Sequence, residues 1–416
     1  MDFHKVVVTG LGAITPIGND LNAYWEGLRT GKSGAGPITK FDTTHFKTNF
    51  ACELKDFDAS NFIDRKEVRR LDPYAHYGLV SGEEAIQHSG ILDFTDLDRN
   101  RVGVIWASGI GGILTFQEEM MEYAKSGVPR FNPFFIPKMI SDIAAGHISM
   151  KHGFRGPNYA TVSACASSTN ALIDALMLLR LGKADAIVVG GSEAAITEGG
   201  IGGFNSMKAL SQRNDDPTTA SRPFDLDRDG FVMGEGGGGM VLETLEHAQK
   251  RGATIYAELA GGGLSADAHH LTAPHPEGLG ASLVMERACE DAGIDPKEID
   301  YINVHGTSTP LGDISEVKAI QRLLGEAAYD VNISSTKSMT GHLLGAAGIV
   351  EAIAGVLALQ HNIVPPTINH FTDDPELDAK LNFTFNTAQE REINVVLSNT
   401  FGFGGHNASA IFRKHT

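Results

Sequence analysis

Short apolar runs rich in β-branched residues alternate along this chain with longer stretches whose apolar positions recur every three or four residues. The short runs at residues 5–9, 101–107, 186–189, 301–304, 331–334 and 395–397 predict buried strands. The longer stretches at 22–29, 73–89, 167–181, 280–292, 314–324 and 343–360 predict helices. Such alternation predicts an α/β fold with mostly parallel sheets. One passage occurs twice. Residues 160–191 run strand, small-residue turn, Cys165, long helix, strand, and residues 331–359 run strand, Lys337, small-residue turn, His342, long helix. This predicts two similar halves, 1–253 and 254–416, packed together without a flexible linker. No apolar run approaches the roughly 18 residues of a membrane-crossing helix, so no membrane insertion is expected.

Two glycine-rich segments imitate nucleotide-binding loops. Thr9-Gly10-Leu11-Gly12 lacks the third glycine of a dinucleotide fingerprint, and Gly236-Gly237-Gly238-Gly239 lacks the Lys-Ser or Lys-Thr of a phosphate loop. Both read as turns or close backbone packing.

Composition narrows the classes further. Of 416 residues, 42% are hydrophobic and 20% charged, which supports a sizeable core. The formal charge of −17 argues against general binding to nucleic acid or anionic membrane, while leaving room for a local basic patch. The cysteines Cys52, Cys165 and Cys289 are far apart and form no CxxC, unlike a disulfide framework or structural zinc site. The N-terminus runs straight into a strand without the apolar region of a signal peptide, so a cytoplasmic protein is expected.

The candidate chemistry begins at Cys165, in Thr161-Val162-Ser163-Ala164-Cys165-Ala166-Ser167. Small neighbours leave the sulfur approachable, and a helix starting at Cys165 would favour the thiolate through its dipole. A buried structural cysteine is the competing reading. His305 ends a strand and is followed by Gly-Thr-Ser-Thr-Pro; Lys337 and Gly341-His342 follow another strand and open a helix. By themselves these read first as a structural histidine and a surface lysine. Phe401-Gly402-Phe403-Gly404-Gly405 forms a loop able to present a backbone N–H to an oxyanion and an aromatic face to a substrate.

Together these residues resemble the β-ketoacyl-acyl carrier protein synthases of the thiolase-like superfamily, over essentially the whole chain. Ser108-Gly109-Ile110-Gly111-Gly112, Gly203-Phe204 and residues 267–274 bring the resemblance closest to the elongating enzymes of type II fatty acid synthesis. The resemblance implies a thiolase-like fold: two duplicated α/β halves whose five-stranded sheets form a layered αβαβα core. It also implies a homodimer that needs no organic cofactor. An acyl group would be carried on Cys165, with the backbone N–H groups of Cys165 and Phe403 holding the oxyanion. His305 and His342 would hold the enolate formed when malonyl-acyl carrier protein loses CO₂, and buried Lys337 would pair with Glu351. Thr307 and Thr309, with Thr272, match pantetheine contacts, although hydroxyls there also stabilise turns. Ile110, Phe204 and Phe403 match the acyl pocket or its gate, with Phe401 beside them.

By the same resemblance Lys66, Arg69, Arg70, Arg130 and Lys208 would dock the acidic carrier protein, delivering acyl and malonyl groups. Asn303, Glu351, Ser398 and Asn399 match a structural monovalent-cation site. His269, His270, His275 and His406 invite a metal reading, but their spacing fits no standard zinc motif. Two alternatives are a ketosynthase of a polyketide or specialised lipid pathway and a non-catalytic partner subunit like a chain-length factor. Intact Cys165, His305 and His342 argue against the second.

Overall fold

The computed structural model describes residues 3–415. Its main sheet contains β1 (Val6–Ile14), β2 (Val102–Ala107), β3 (Asn158–Tyr159), β4 (Ala186–Glu193), β5 (Gly236–Thr244), β6 (Ala257–Ala266), β7 (Tyr301–Asn303), β8 (Asn332–Ser334), β9 (Val395–Gly402) and β10 (His406–Arg413). The ten strands lie in the order β8-β7-β9-β10-β6-β1-β5-β4-β2-β3.

Cut between β6 and β1, this ladder becomes two five-stranded arrays with one plan. In the first, β1 and β4 each pair antiparallel with β5, while β3 and β4 run parallel to β2. In the second, β6 and β9 each pair antiparallel with β10, while β8 and β9 run parallel to β7. The arrays join where Val7 and Val8 of β1 face Glu258 and Ala257 of β6. The sheets are thus mixed, correcting the mostly parallel expectation. In each half the last strand returns antiparallel between its predecessor and the first strand.

Five helices complete the layers: α1 (Pro73–Ser89), α2 (Ser167–Arg180), α3 (Leu279–Ala292), α4 (Pro310–Leu324) and α5 (Ala347–His361). Asp72 caps α1, Pro73 opens it and Gly90 closes it in the left-handed conformation. Helix α1 covers the outer face of β1, β5 and β4; α3 covers β6 and β10, with α4 against α3. Helices α2 and α5 pack on each other between the arrays, α2 touching β4 and β6 and α5 touching β9 and β5. This is the layered αβαβα order of a thiolase-like fold.

The glycines inside strands explain where sequence reading failed. A Cβ on Gly12 of β1 would sit 2.3 Å from the Ser81 carbonyl oxygen of α1, and one on Gly263 of β6 would sit 2.1 Å from that of Val284 in α3. Each half thus uses a bare strand backbone to seat its outer helix. Gly236–Gly239 are likewise strand rather than turn, lying in β5 opposite Ile14, Ala13 and Gly12 of β1.

The 18-residue window Leu344–His361 has a mean hydropathy of 1.5, enough by length and composition alone for a membrane span. It is 89% buried and is the core helix α5 with its lead-in turn. Burial on all sides is why it lacks a polar face.

The two central helices approach closely at Gly348, where an added Cβ would fall 2.0 Å from Thr169 Oγ1 and 3.1 Å from Thr400 Cγ2. Gly348→Ala is expected to destabilise the fold by about 1–3 kcal/mol through overpacking, read as a lower melting temperature. An unchanged melting temperature would mean the helices are free to separate.

Candidate active site

Chain topology brings the reactive residues to one place. Cys165 lies shortly before α2, and His342 lies before α5 with a short turn, Leu344–Ala346, between them. His305 follows β7, and Phe403 sits in the turn between β9 and β10. His342 Nε2 lies 3.0 Å from Cys165 Sγ. The His305 and His342 rings meet edge to face, with centroids 5.3 Å apart at 87°.

The turn carrying the sulfur is braced. Ala164 has φ +51, a left-handed conformation unusual for a residue with a side chain. The Ser167 hydroxyl holds it, accepting from the Ser163 N–H at 2.9 Å and donating to the Ala164 carbonyl at 2.6 Å. The helix starts at Ser167, as the span 167–181 predicts, so Cys165 lies before the helix that the dipole argument placed it in.

That reading is also corrected on thiol acidity. Burial pushes the Cys165 thiol up to about 12, outweighing Lys337 and a hydrogen bond from the Phe403 N–H, which act the other way. The helix dipole is a local effect legible in sequence; burial comes from chain segments far away. Both histidines are pushed well below their ordinary value, first by burial and then by the Lys337 charge. The resting site therefore pairs a protonated thiol with neutral imidazoles. Lys337 is 1% exposed and paired with Glu351, whose carboxyl burial lifts to about 7.

A cavity of about 500 Å³ opens onto these groups, lined by Cys165, His305, His342 and Phe403 together with Ile110, Phe204, Phe401, Thr272, Thr307 and Thr309. The predicted substrate residues therefore converge on one cavity, mostly apolar around a few polar atoms, as ligand sites usually are. The Thr307 and Thr309 hydroxyls are 3.0 Å apart. Phe204 packs against Phe403, with centroids 6.3 Å apart. Lys208 also lines the cavity, whereas Lys66, Arg69, Arg70 and Arg130 lie outside its lining, exposed on the surface. The Arg70 guanidinium stacks over Phe134 at 5.0 Å, linking the first basic segment to the loop that carries Arg130.

Asn303 of β7 and Ser398 of β9 face each other in register. Asn303 Oδ1, Ser398 Oγ and Glu351 Oε2 are each buried without a hydrogen-bond partner, while Asn399 Oδ1 already accepts from Ser409 Oγ. His269 and His275 stand 5.0 Å apart, but no group of three or more His, Cys, Asp or Glu among the described residues is arranged to hold a metal.

Three contributors escaped sequence reading. Glu316, on the buried face of α4, accepts the backbone N–H groups of His305 at 2.9 Å and Gly306 at 2.8 Å, and burial raises its carboxyl to about 7. Phe231 packs edge-on to His342 at 5.3 Å. Glu193 ends β4 behind the cavity wall. A single buried acid in a helix, or one phenylalanine in a loop, has no periodic signature, and Glu316 shares its buried face with another acid, Asp313.

Family models confirm the span. The model described as the β-ketoacyl synthase N-terminal domain matches residues 4–248, and the C-terminal domain model matches 256–371. The chain is 48% identical over 411 residues to a 3-oxoacyl-[acyl-carrier-protein] synthase 2 of Synechocystis sp., covering 99% of this chain and 98% of that one. It is 49% identical over 410 residues to the protein of the same name from Staphylococcus aureus, with the same coverage. A solved ketosynthase of a type II polyketide system, bound to a hexaketide in complex with its acyl-carrier protein, superposes with a TM-score of 0.91 at 33% identity over 100% of both chains.

A thiol held this high should alkylate ever faster as pH rises. The rate of iodoacetamide modification at Cys165 is expected to climb without levelling beyond about pH 10, where an ordinary thiol has nearly saturated. A plateau at or below that pH, seen by peptide mass spectrometry, would contradict the buried-thiol geometry.

Proposed function

The chain belongs to the β-ketoacyl synthase family, and on that premise we propose how it carries out the elongating condensation of fatty acid synthesis. The enzyme is an acyltransferase. In the first half-reaction Cys165 Sγ attacks the acyl thioester of a carrier protein. A sulfur–carbon bond forms, the carrier sulfur leaves and takes up the thiol proton, and the acyl group remains on Cys165. The Cys165 and Phe403 N–H groups stabilise the tetrahedral oxyanion; losing one such donor costs about 10²–10³ in rate.

In the second half-reaction malonyl-acyl carrier protein enters. Its C2–carboxylate bond breaks, CO₂ departs and the electron pair becomes a thioester enolate. His305 and His342, neutral and close together, donate their Nε2–H groups to the enolate oxygen. C2 then attacks the acyl carbon, the Cys165 thiolate leaves, and 3-oxoacyl-carrier protein is released. Lys337 supports this electrostatically: burial first, and its charge second, keep both imidazoles neutral, and Glu351 pairs with it in turn. The reading rests on one observation, Cys165 Sγ within 3.0 Å of His342 Nε2 in a cavity that also holds His305.

Thr307, Thr309 and Thr272 would line the pantetheine path, and Ile110, Phe204, Phe401 and Phe403 the acyl pocket and its gate. Exposed Lys66, Arg69, Arg70, Arg130 and Lys208 supply positive charge for an acidic carrier protein on a chain of net charge −17. Homodimerisation draws support from exposed apolar side chains clustered at Phe116, Met121, Phe131, Phe134 and Ile136. Three unpartnered buried oxygens, on Asn303, Ser398 and Glu351, fit a monovalent cation held for structure. We assign the enzyme to the cytoplasm, with three free, buried cysteines. The structural likeness to a polyketide ketosynthase keeps that pathway as the second reading.

Two experiments test the roles. Cys165→Ala should abolish acyl-enzyme formation and condensation while malonyl decarboxylation continues; surviving condensation would remove Cys165 as nucleophile. Charge reversal at Lys66 and Arg69 should raise KM for carrier-protein substrates several-fold more than for short pantetheine thioesters. An equal rise for both would place docking elsewhere.

A further inference from the structure

Glu193 is fully buried, and its carboxylate is satisfied by neutral donors. Oε1 accepts from Ser108 Oγ at 2.9 Å and the Ile110 N–H at 3.2 Å. Oε2 accepts from the Gly109 N–H at 2.7 Å and the Gly345 N–H at 3.0 Å. These donors belong to two separate segments. Residues 108–110 follow β2 and carry Ile110 into the cavity, and Gly345 lies three positions after His342, next to Leu344, which also lines the cavity. One side chain therefore ties the Ile110 wall of the cavity to the turn that carries His342.

The surroundings leave little else to do this. A Cβ on Gly345 would fall 2.1 Å from the Gly109 nitrogen, and one on Gly109 would fall 2.9 Å from Glu193 Oε2, so the segments meet backbone to backbone. Leu344 has φ +48, a conformation that an ordinary residue keeps only when its neighbours enforce it, and the Gly345 bond to Glu193 is the adjacent restraint. The Ser108 hydroxyl extends the clamp by accepting the Gly111 N–H at 3.0 Å. All four contacts at the carboxylate demand an acceptor, so an amide in its place would turn an N–H toward an N–H.

We propose that Glu193 is a specificity-determining positioning residue, setting together the depth of acyl chain the cavity holds and the seat of His342. The proposal rests on the condensing function above. Chains too short to reach Ile110 and Leu344 do not touch the clamped wall. Longer chains pack on it and depend on its rigidity.

The test is Cys165 acylation measured by intact-protein mass spectrometry, with acyl-carrier proteins of increasing chain length. Wild type, Glu193→Gln and Ser108→Ala are compared. Wild type that takes no acyl group at any length would defeat the condensing function itself. With wild type acylated, Glu193→Gln should slow the longest accepted chain about tenfold more than the shortest, the scale of one charge-assisted hydrogen bond. Ser108→Ala, which removes one donor, should shift the profile the same way by a smaller factor, and it decides alone if Glu193→Gln does not fold. Equal slowing at every length, faster uptake of long chains, or no change in either variant would overturn the proposal.

Discussion

The close contact of α2 and α5 is the constraint from which the site follows. Cys165 and His342 are 177 positions apart in the chain, yet each lies in the segment that leads into its half's central helix. Packing those helices between the two arrays brings their first turns together, and the reactive pair with them. Gly348 permits the approach, and Thr400 and Thr169 share a 2.8 Å hydrogen bond beside it. The duplication is thus the device that builds a bimolecular site from one chain, since neither half holds both the sulfur and the imidazoles.

Burial then sets the electrostatics. Moving a charge out of water is costly unless it is paired, and here the unpaired groups answer by staying neutral. The thiol keeps its proton and each imidazole carries only one, which suits the proposed donation of N–H bonds to an enolate. Lys337, a buried cation whose charge bears on both imidazoles, has Glu351 beside it. Glu316 and Glu193 act on backbone rather than on reactants, each gathering N–H groups of loops that end at the cavity.

Much of this was legible in the chain. The periodic helices at 73–89 and 280–292 fall within a residue of their observed limits, because an amphipathic surface helix advertises its own spacing. Cys165, His305, His342, Lys337 and Phe403 were found through motif and resemblance, and the structure gathers them. Three long strands were missed. β5, β6 and β10 carry glycines or small residues where a β-former is expected, since their backbones lie against helices and other strands: a Cβ on Gly238 would come within 2.9 Å of Ile353 Cδ1. The acidity of Cys165 had the wrong sign for a related reason. Its neighbours in sequence suggest a dipole, but the walls that bury it come from residues hundreds of positions away.

The placement of α5 also has a consequence for biosynthesis. From Ala347 to Leu359 this helix is buried at every residue, and half of what buries it, including β5 and α2, is made long before it. At about 5–20 residues per second, α2 emerges from the ribosome on the order of ten seconds before α5 is translated. Throughout that interval the inner face of the first array is covered by α2 but still lacks α5. The nascent first half is a sticky intermediate by design of the fold, and cellular folding helpers have most to do here before the last third of the chain appears.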